Sequence, residues 1–515
     1  MPVESSYDVL IVGAGIAGSS LAHALSTLPR PKPLRIALLE RSLAEPDRIV
    51  GELLQPGGVS ALKELGLERC LEGIDAVPVH GYCVVDAEDG RQVRIPYPGS
   101  HEGRSFHHGR FVMRLREAAK RASGVEVVEA TVTDLIEDEA TGRVVGVRAA
   151  RKDASDGEGA TDAFYADLVV VADGCFSNFR TAVMGAAGAK STTKSHFVGA
   201  ILEDARLPIP QHGTVALIRG FGPVLLYQIS EHDTRMLVDV KVPLPSDLKS
   251  HILTNILPQL PSALHAPIRI ALEKDRLRRM PNSFLPPVEQ GVNTKPGVIL
   301  LGDAWNMRHP LTGGGMTVAL HDVVMLRSML GAVQDLSDWA EVRNVLKRWH
   351  WARKPLASTV NILSFALYDL FGADDEELAV LRTGCFKYFE RGGDCITGPV
   401  SLLSAISPSP SLLARHFFAV AFYSIWVMFT HPRRVPVPGT KEPVYATAGL
   451  HQYPFLLIKA LRVFWTACVV FGPLLWSEIR WWAPADTRRR NGVLLTALLP
   501  VLAVLGGVVW TWRMM

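Results

Sequence analysis

The sequence predicts an α/β fold in three parts: a Rossmann-like domain, an antiparallel-sheet domain inserted into it, and a helical, membrane-associated C-terminal region. Three observations lead there. A short apolar run, Tyr7 to Val12, ends in Gly13-Ala14-Gly15-Ile16-Ala17-Gly18. A second apolar run, Val298 to Leu301, delivers Gly302-Asp303-Ala304 and is followed by Pro310-Leu311-Thr312-Gly313-Gly314-Gly315-Met316. Residues 401–515 hold 11 Lys/Arg against 3 Asp/Glu, and seven of the 11 tryptophans lie at Trp426 or beyond. Basic residues and Trp around apolar stretches are what a membrane–water interface selects.

The elements follow in order. Tyr7–Val12 reads as a strand, Ile16–Leu28 as an Ala/Leu-rich helix, and Leu34–Leu39 as a second strand closed by Glu40. Pro29, Pro31 and Pro33 fall in the connection, where they interrupt nothing. This is one βαβ unit. Phe111–Ala122 has helical spacing, with Phe111, Leu115, Ala118 and Ala119 on one face. Val125–Val128 and Val144–Val147 read as strands, Ala150–Ala163 as a polar loop, and Tyr165–Val171 as a buried strand ending at Asp173-Gly174. Short alternating runs from Ser195 to Leu244 predict an antiparallel sheet. A helix is expected from Gly314 to Leu330, and beyond Trp339 the chain reads as helical nearly throughout. The expected division is 1–75, 101–190 and 291–335 for the first domain, 76–100 and 191–290 for the inserted one, and 336–515 for the C-terminal region.

Composition excludes several classes. A chain of 515 residues buries an ordinary core without staples, and 48% hydrophobic residues exclude a mostly disordered chain. A net charge of +3 gives no reason to expect nucleic acid. The six cysteines form no CxxC pair, and neither they nor His107-His108 have ligand spacing, so no metal site is expected. The polar start before Tyr7 has no secretory-signal pattern. Mean hydropathy of +0.17 is high for an enzyme that never meets lipid. Among the late apolar segments, Tyr453–Trp476 carries Lys459 and Arg462, which favours a helix lying in the interface. Val493–Trp512 is uncharged over 20 residues and follows Arg488-Arg489-Arg490, which would leave that end cytosolic. Truncation after about residue 440 is expected to release the chain from membranes and leave the first domain folded.

The glycine turn points to a dinucleotide. Gly13 permits the tight turn, Gly15 lets the backbone approach a pyrophosphate, and Gly18 lets helix and strand pack closely. The helix start offers unpaired N–H groups to phosphate. Glu40, 22 residues beyond Gly18, can hold the hydroxyls of an adenosine ribose. That pattern alone does not separate NAD from FAD. The second strand-end aspartate does: Asp303 can hold a ribityl hydroxyl, and the helix after Gly314 can stabilise negative charge on a reduced flavin.

With Ala172-Asp173-Gly174 between them, these motifs resemble the aromatic-hydroxylase class of FAD monooxygenases. Longer strings narrow the resemblance to the squalene monooxygenase (squalene epoxidase) family. They are Asp47-Arg48-Ile49-Val50-Gly51-Glu52-Leu53-Leu54-Gln55-Pro56-Gly57-Gly58, Phe106-His107-His108-Gly109-Arg110-Phe111 and Asn306-Met307-Arg308-His309-Pro310 running into the Gly-rich loop. Leu285-Pro286-Pro287 and Gly392-Gly393-Asp394-Cys395 fit too, and the similarity covers roughly residues 7 to 480. The resemblance implies that Ile16 and Ala17 lie on the FAD pyrophosphate turn, with Glu40 and Arg41 at the adenosine end. It implies further FAD contacts from Arg48, Leu53 and Arg110, and from Asp173, Asp303, Gly314 and Met316. It makes Tyr82 a candidate catalytic residue near the substrate pocket, with Gln55 as its neighbour.

The activity implied is epoxidation of squalene with O₂, electrons coming from NADPH through a separate cytochrome P450 reductase. No second GxGxxG-bearing unit for NADPH is present in the sequence. The family's location is the endoplasmic reticulum membrane, with the catalytic part facing the cytosol. An alkene has no proton to remove and no leaving group, so no triad or carboxylate pair is required, and none stands out. Three other readings stay open on the residues: an epoxidase of another polyprenyl or terpenoid compound, a membrane-bound flavin reductase of prenyl double bonds, and a lipid carrier that has lost its flavin.

Overall fold

The computed structural model describes residues 4–87, 90–152, 161–274, 277–372, 375–435 and 444–482. The expectations for Arg488-Arg489-Arg490 and for Val493–Trp512 lie outside the described residues.

Parallel strands form the centre of the first sheet, in the order 298–300, 162–171, 4–12, 36–40 and 125–137. Helix Ile16–Ser26 makes the first crossover. Val9, Leu10 and Ile11 are fully buried, as are Val169, Val170 and Val298. Such continuous apolar runs are what strands covered on both faces require. Val144–Arg151 pairs antiparallel with both Val125–Glu137 and Asp162–Val171, making a meander at one side. Only the ends of the polar Ala150–Ala163 stretch are described, and both belong to these strands.

The register brings the strand ends level. Val12 lies opposite Leu39 and Val171, and Val171 opposite Leu300. The residues that follow, Gly13, Glu40, Ala172 and Leu301, therefore meet along one edge. In open α/β sheets this carboxyl edge is where ligands bind.

The second sheet has seven strands in the order 278–284, 192–203, 233–241, 224–228, 213–217, 81–86 and 92–96. The expectation of an antiparallel sheet needs one correction: Gly213–Leu217 runs parallel to Gly81–Asp86. These strands come from distant parts of the chain, so no tight hairpin imposes opposite directions on them. One face of the sheet, including Val198, Met236 and Val238, is covered by Ile252, Ile256, Leu264 and Ile268. The other face, with Tyr82, Phe197, Tyr227 and Leu237, packs toward Tyr368, Phe371 and Phe386 of the C-terminal helices.

Among the described residues, five α-helices make that region: Trp339–Phe371, Glu376–Glu390, Asp394–Leu403, Pro410–Thr430 and Tyr453–Trp482. A short hairpin, Arg433–Val435 with Val444–Ala446, interrupts the expected helical run. Two helical stretches, Pro410–Thr430 and Leu450–Leu474, are long and apolar enough to cross a membrane. The second is two-faced, however. Leu456, Val463, Ala467 and Phe471 are buried, while Phe455 (76% exposed), Leu461 (73%) and Trp465 (68%) stand outward at helical spacing. One face therefore belongs to the protein core and the other to an apolar surrounding, which suits a helix lying along a bilayer. Lys459, bonded to Glu376 at 2.8 Å, belongs to the polar boundary between them.

Candidate active site

A cleft opens at the carboxyl edge of the first sheet and runs to the second. Its first end is built from the glycine turn. Gly13 has φ +101°, and a Cβ there would meet the Ala172 carbonyl at 2.6 Å. A Cβ on Gly18 would meet the Gly13 carbonyl at 1.9 Å, but one on Gly15 would meet nothing. The turn is thus closed on its protein side and open on the cleft side. Gly15 caps the following helix with no side-chain cap and no acid in the first turn, so the leading N–H groups remain available to an anion. Gly15, Ile16 and Ala17 all line the cleft.

Glu40 ends the second strand and accepts from the Ala14 N–H at 2.8 Å. Arg41 beside it is exposed. The sequence motifs did not mark Arg116, which sits beneath both. It is buried and donates to the carbonyls of Ala14 (2.8 Å), Ser42 (3.1 Å) and Ala44 (3.0 Å), with Glu40 at 3.4 Å. Arg180 plays the same part between the other strand ends. It donates to the carbonyls of Ala304 (2.8 Å), Asp303 (2.9 Å) and Cys175 (3.0 Å). Neither arginine belongs to a recognisable spacing; each is known only by the loops it clamps.

The middle of the cleft is polar. Asp303 and Arg48 face each other at 3.4 Å, each side chain about one-third exposed (36% and 33%). Gly313, Gly315 and Met316 open a second helix here, Gly315–Gly331, again without a side-chain cap. Two helix N-termini and an acid–arginine pair thus face one space. Pyrophosphate, ribityl hydroxyls and an electron-rich ring need such donors, and the open Gly15 side gives the phosphates room. The residues fit FAD.

Seven expected contacts are off the cleft wall: Gly13, Gly18, Glu40 and Arg41, and with them Arg110, Asp173 and Gly314. Arg110 is half exposed and pairs with Asp75 at 3.7 Å. Asp173 accepts from the Asn178 N–H at 3.3 Å, and burial raises its pKa; its neighbours Ala172 and Gly174 line the cleft instead. Gly314 faces helix Trp339–Phe371, where a Cβ would meet Val360 at 2.4 Å.

His108 lines the cleft but is buried, its Nδ1–H donating to the Gly51 carbonyl at 2.8 Å. Burial, helped by the Arg48 and Arg116 charges, lowers its pKa from 6.5 to about 4. The unfolded chain therefore binds the proton more readily than the folded one. The neutral imidazole stabilises the fold above about pH 6.5, and that contribution is lost as the pH falls toward 4. A shift of this size is worth on the order of 3 kcal/mol. Thermal unfolding across pH 7 to 4 is expected to show a steeper loss for the wild type than for His108→Gln.

The far end is apolar. Leu53, Tyr82, Leu225, Tyr227, Leu237, Met280 and Leu311 line it. Gln55 joins this end to the Gly-rich loop. Its Nε2 donates to the Tyr82 hydroxyl and to the Thr312 carbonyl (2.8 Å), and its Oε1 accepts from the Tyr97 hydroxyl (2.8 Å). Tyr97, which the motifs did not mark, packs edge-on against Tyr82 with ring centroids 5.8 Å apart. Burial raises the Tyr82 pKa, so the hydroxyl stays neutral. A buried ion pair braces the same region: Arg235 donates twice to Glu52, at 2.7 and 2.8 Å, and Tyr227 donates to it at 3.4 Å.

A Rossmann-like sheet, a glycine turn, a second Gly-Asp strand end and an inserted sheet with an apolar pocket define an FAD-dependent monooxygenase. Residues 6–242 match the FAD-binding domain family. The fold is that of a p-nitrophenol 4-monooxygenase from Pseudomonas putida, with a TM-score of 0.62 at 16% identity over 79% of this chain and 98% of that one. Residues 165–464 match the squalene epoxidase family. A squalene epoxidase of Aspergillus fumigatus is 46% identical over 92% of this chain and 93% of its own length. A squalene monooxygenase of Mus musculus is 44% identical over 92% of this chain and 78% of its own. The chain belongs to the squalene epoxidase family.

Proposed function

We propose that this protein epoxidises squalene at a terminal 2,3-double bond, consuming one O₂ and two electrons with two protons, and releasing one water. The observation that carries this is a single cleft whose polar end suits FAD and whose other end is walled by carbon. Bound FAD supplies the electrons that activate O₂. The Gly13–Gly18 turn would hold its pyrophosphate, Glu40 its adenosine end, and Asp303 and Arg48 its ribityl side, with Met316 at the start of the Gly-rich helix available to the flavin. The chain's own task is to hold the alkene and exclude water. Leu53, Leu237 and Leu311 supply a dry wall, and Tyr82 fixes its shape through Gln55. No general acid or base is required, because an alkene neither loses a proton nor expels a group.

Electrons reach the flavin from NADPH through a separate reductase in this proposal, and the protein sits on the endoplasmic reticulum membrane with its catalytic part in the cytosol. The exposed stripe of Phe455, Leu461 and Trp465 supports membrane contact. Incubation with FAD, NADPH, cytochrome P450 reductase and squalene is expected to give the 2,3-epoxide by mass spectrometry, with matching oxygen uptake. A flavin-loaded protein that leaves squalene unchanged overturns the proposal; prenyl reduction without oxygen uptake replaces it.

Tyr82→Phe removes one hydroxyl and leaves a buried amide donor without its partner, a change of about 1–3 kcal/mol. The expected result is a severalfold change in kcat/KM for squalene, with FAD content unchanged. Unaltered kinetics would make Tyr82 a core residue only.

A further inference from the structure

A second pocket, partly open to the surface, lies among the C-terminal helices, separate from the flavin cleft. Leu367, Phe389, Leu402, Phe417, Ala421 and Ala467 are among its lining residues. Two side chains with polar atoms line it, His416 and Cys385. The His416 Nδ1 is engaged by the Tyr388 hydroxyl at 2.9 Å, and its Nε2 is buried against Gly398, where a Cβ would meet it at 2.0 Å. The unpartnered Nε2 is covered and the Cys385 thiol is a weak donor, so an occupant finds almost only carbon. That excludes lipid headgroups and suits a hydrocarbon.

Its position is as informative as its walls. Ala467 and Val470 line it from the helix whose other face exposes Phe455, Leu461 and Trp465. Leu367 and Leu370 line it from the opposite side. They also pack against the cluster that contains Tyr82, Leu237 and Leu311, and those three line the flavin cleft. The pocket thus has the helix with the exposed apolar face on one side, and on the other two leucines that pack on the cluster lining the reaction site.

We propose that this pocket is a second binding site for an isoprenoid hydrocarbon of the squalene class, holding part of one molecule between the bilayer and the flavin cleft. The inference rests on the proposed substrate. The occupant is a headgroup-free hydrocarbon, which meets apolar walls along its whole length, whereas an acyl chain would have to leave its ester and charged head outside the pocket.

The test uses the FAD-loaded full chain in nanodiscs, without reductant, so that nothing turns over. A photoreactive diazirine analogue of squalene is expected to label two sets of peptides, one around Tyr82 and one in residues 410–430 or 453–474. Excess squalene should abolish both sets, and excess phospholipid neither. Filling the pocket by Ala421→Phe or Ala467→Phe should remove the second set alone, halve the bound squalene and leave FAD content unchanged. Labelling confined to the Tyr82 peptides of the wild type overturns the inference whatever the variants do. Competition by phospholipid at the second set overturns it in favour of an acyl chain. If the wild type makes epoxide while the second set stays unlabelled, this inference falls and the proposed function stands. If neither label nor epoxide forms, the function falls with it.

Discussion

Glu478→Ala is expected to destabilise the protein by about 3–5 kcal/mol, the cost of leaving a buried charge without its partner. Glu478 and Lys354 are each only 2% exposed and meet at 2.9 Å. The Ser358 hydroxyl (2.6 Å) and the Asn361 amide (3.0 Å) donate to the same carboxylate. All three partners belong to helix Trp339–Phe371, so the alanine variant takes the carboxylate from an ammonium and two polar groups in one place. The effect should reach the flavin loop. Asn306, just before the Gly-rich segment, accepts from Arg308 at 2.7 Å and Arg353 at 3.3 Å. Val360 of the same helix backs Gly314. Chemical denaturation followed by flavin fluorescence measures the loss. The double variant Lys354→Met with Glu478→Leu is expected to recover most of it, since apolar replacement of a buried pair is often neutral. A Glu478→Ala variant with wild-type stability would show that the pair is not closed in solution.

The same geometry revises what truncation should do. Cutting after residue 440 was expected to release the chain from membranes and leave the flavin-binding part folded. Yet Phe471 packs with Ile362, Leu402 and Leu413, and Val463 and Ala467 pack with Leu381 and Ala421. Removing their helix uncovers these residues as well as freeing Lys354. The truncated chain is now expected to lose stability along with membrane binding.

The second large effect is expected at Glu52. Glu52→Ala leaves Arg235, a side chain only 6% exposed, without its bidentate partner, at a cost of about 3–5 kcal/mol. The pair ties the segment carrying Arg48, Leu53 and Gln55 to strand Asp233–Lys241 of the second sheet. Its loss should loosen the join between the two halves of the cleft. Thermal unfolding is expected to show the stability loss, and epoxide formation should fall further than FAD content. A double-mutant cycle with Arg235→Ala isolates the coupling. Additive single effects would show that the two side chains do not act as a pair.

Much of this was legible in the chain itself. Tyr7–Val12, Gly13–Gly18 and Glu40 read as strand, turn, helix and acid because each depends on local rules: apolar runs, positive φ at glycine, and short crossovers. The Gly302-Asp303 strand end and the Pro310–Gly315 loop were legible for the same reason. Tyr82 and Gln55 came from resemblance rather than from any local rule, and the structure adds the bond between them. Arg110, Asp173 and Gly314 lie in the right motifs but off the cleft wall, because sharing a motif does not decide which way a side chain points. Arg116, Arg180, Glu52, Tyr97 and Glu478 were not legible. Each draws its role from a partner far away in sequence, as Glu52 does from Arg235 183 residues on.

The sequence by itself determined the strand–turn–helix unit, the glycine positions that receive a dinucleotide, and the apolar character of the last helices, since all of these follow from neighbours within a few turns of chain. Tertiary structure alone decided which arginines clamp the strand ends, which face of Tyr453–Trp482 is buried, and where the second pocket lies. Burial and ion pairing depend on what packs across, and no window of sequence contains both sides of such a contact.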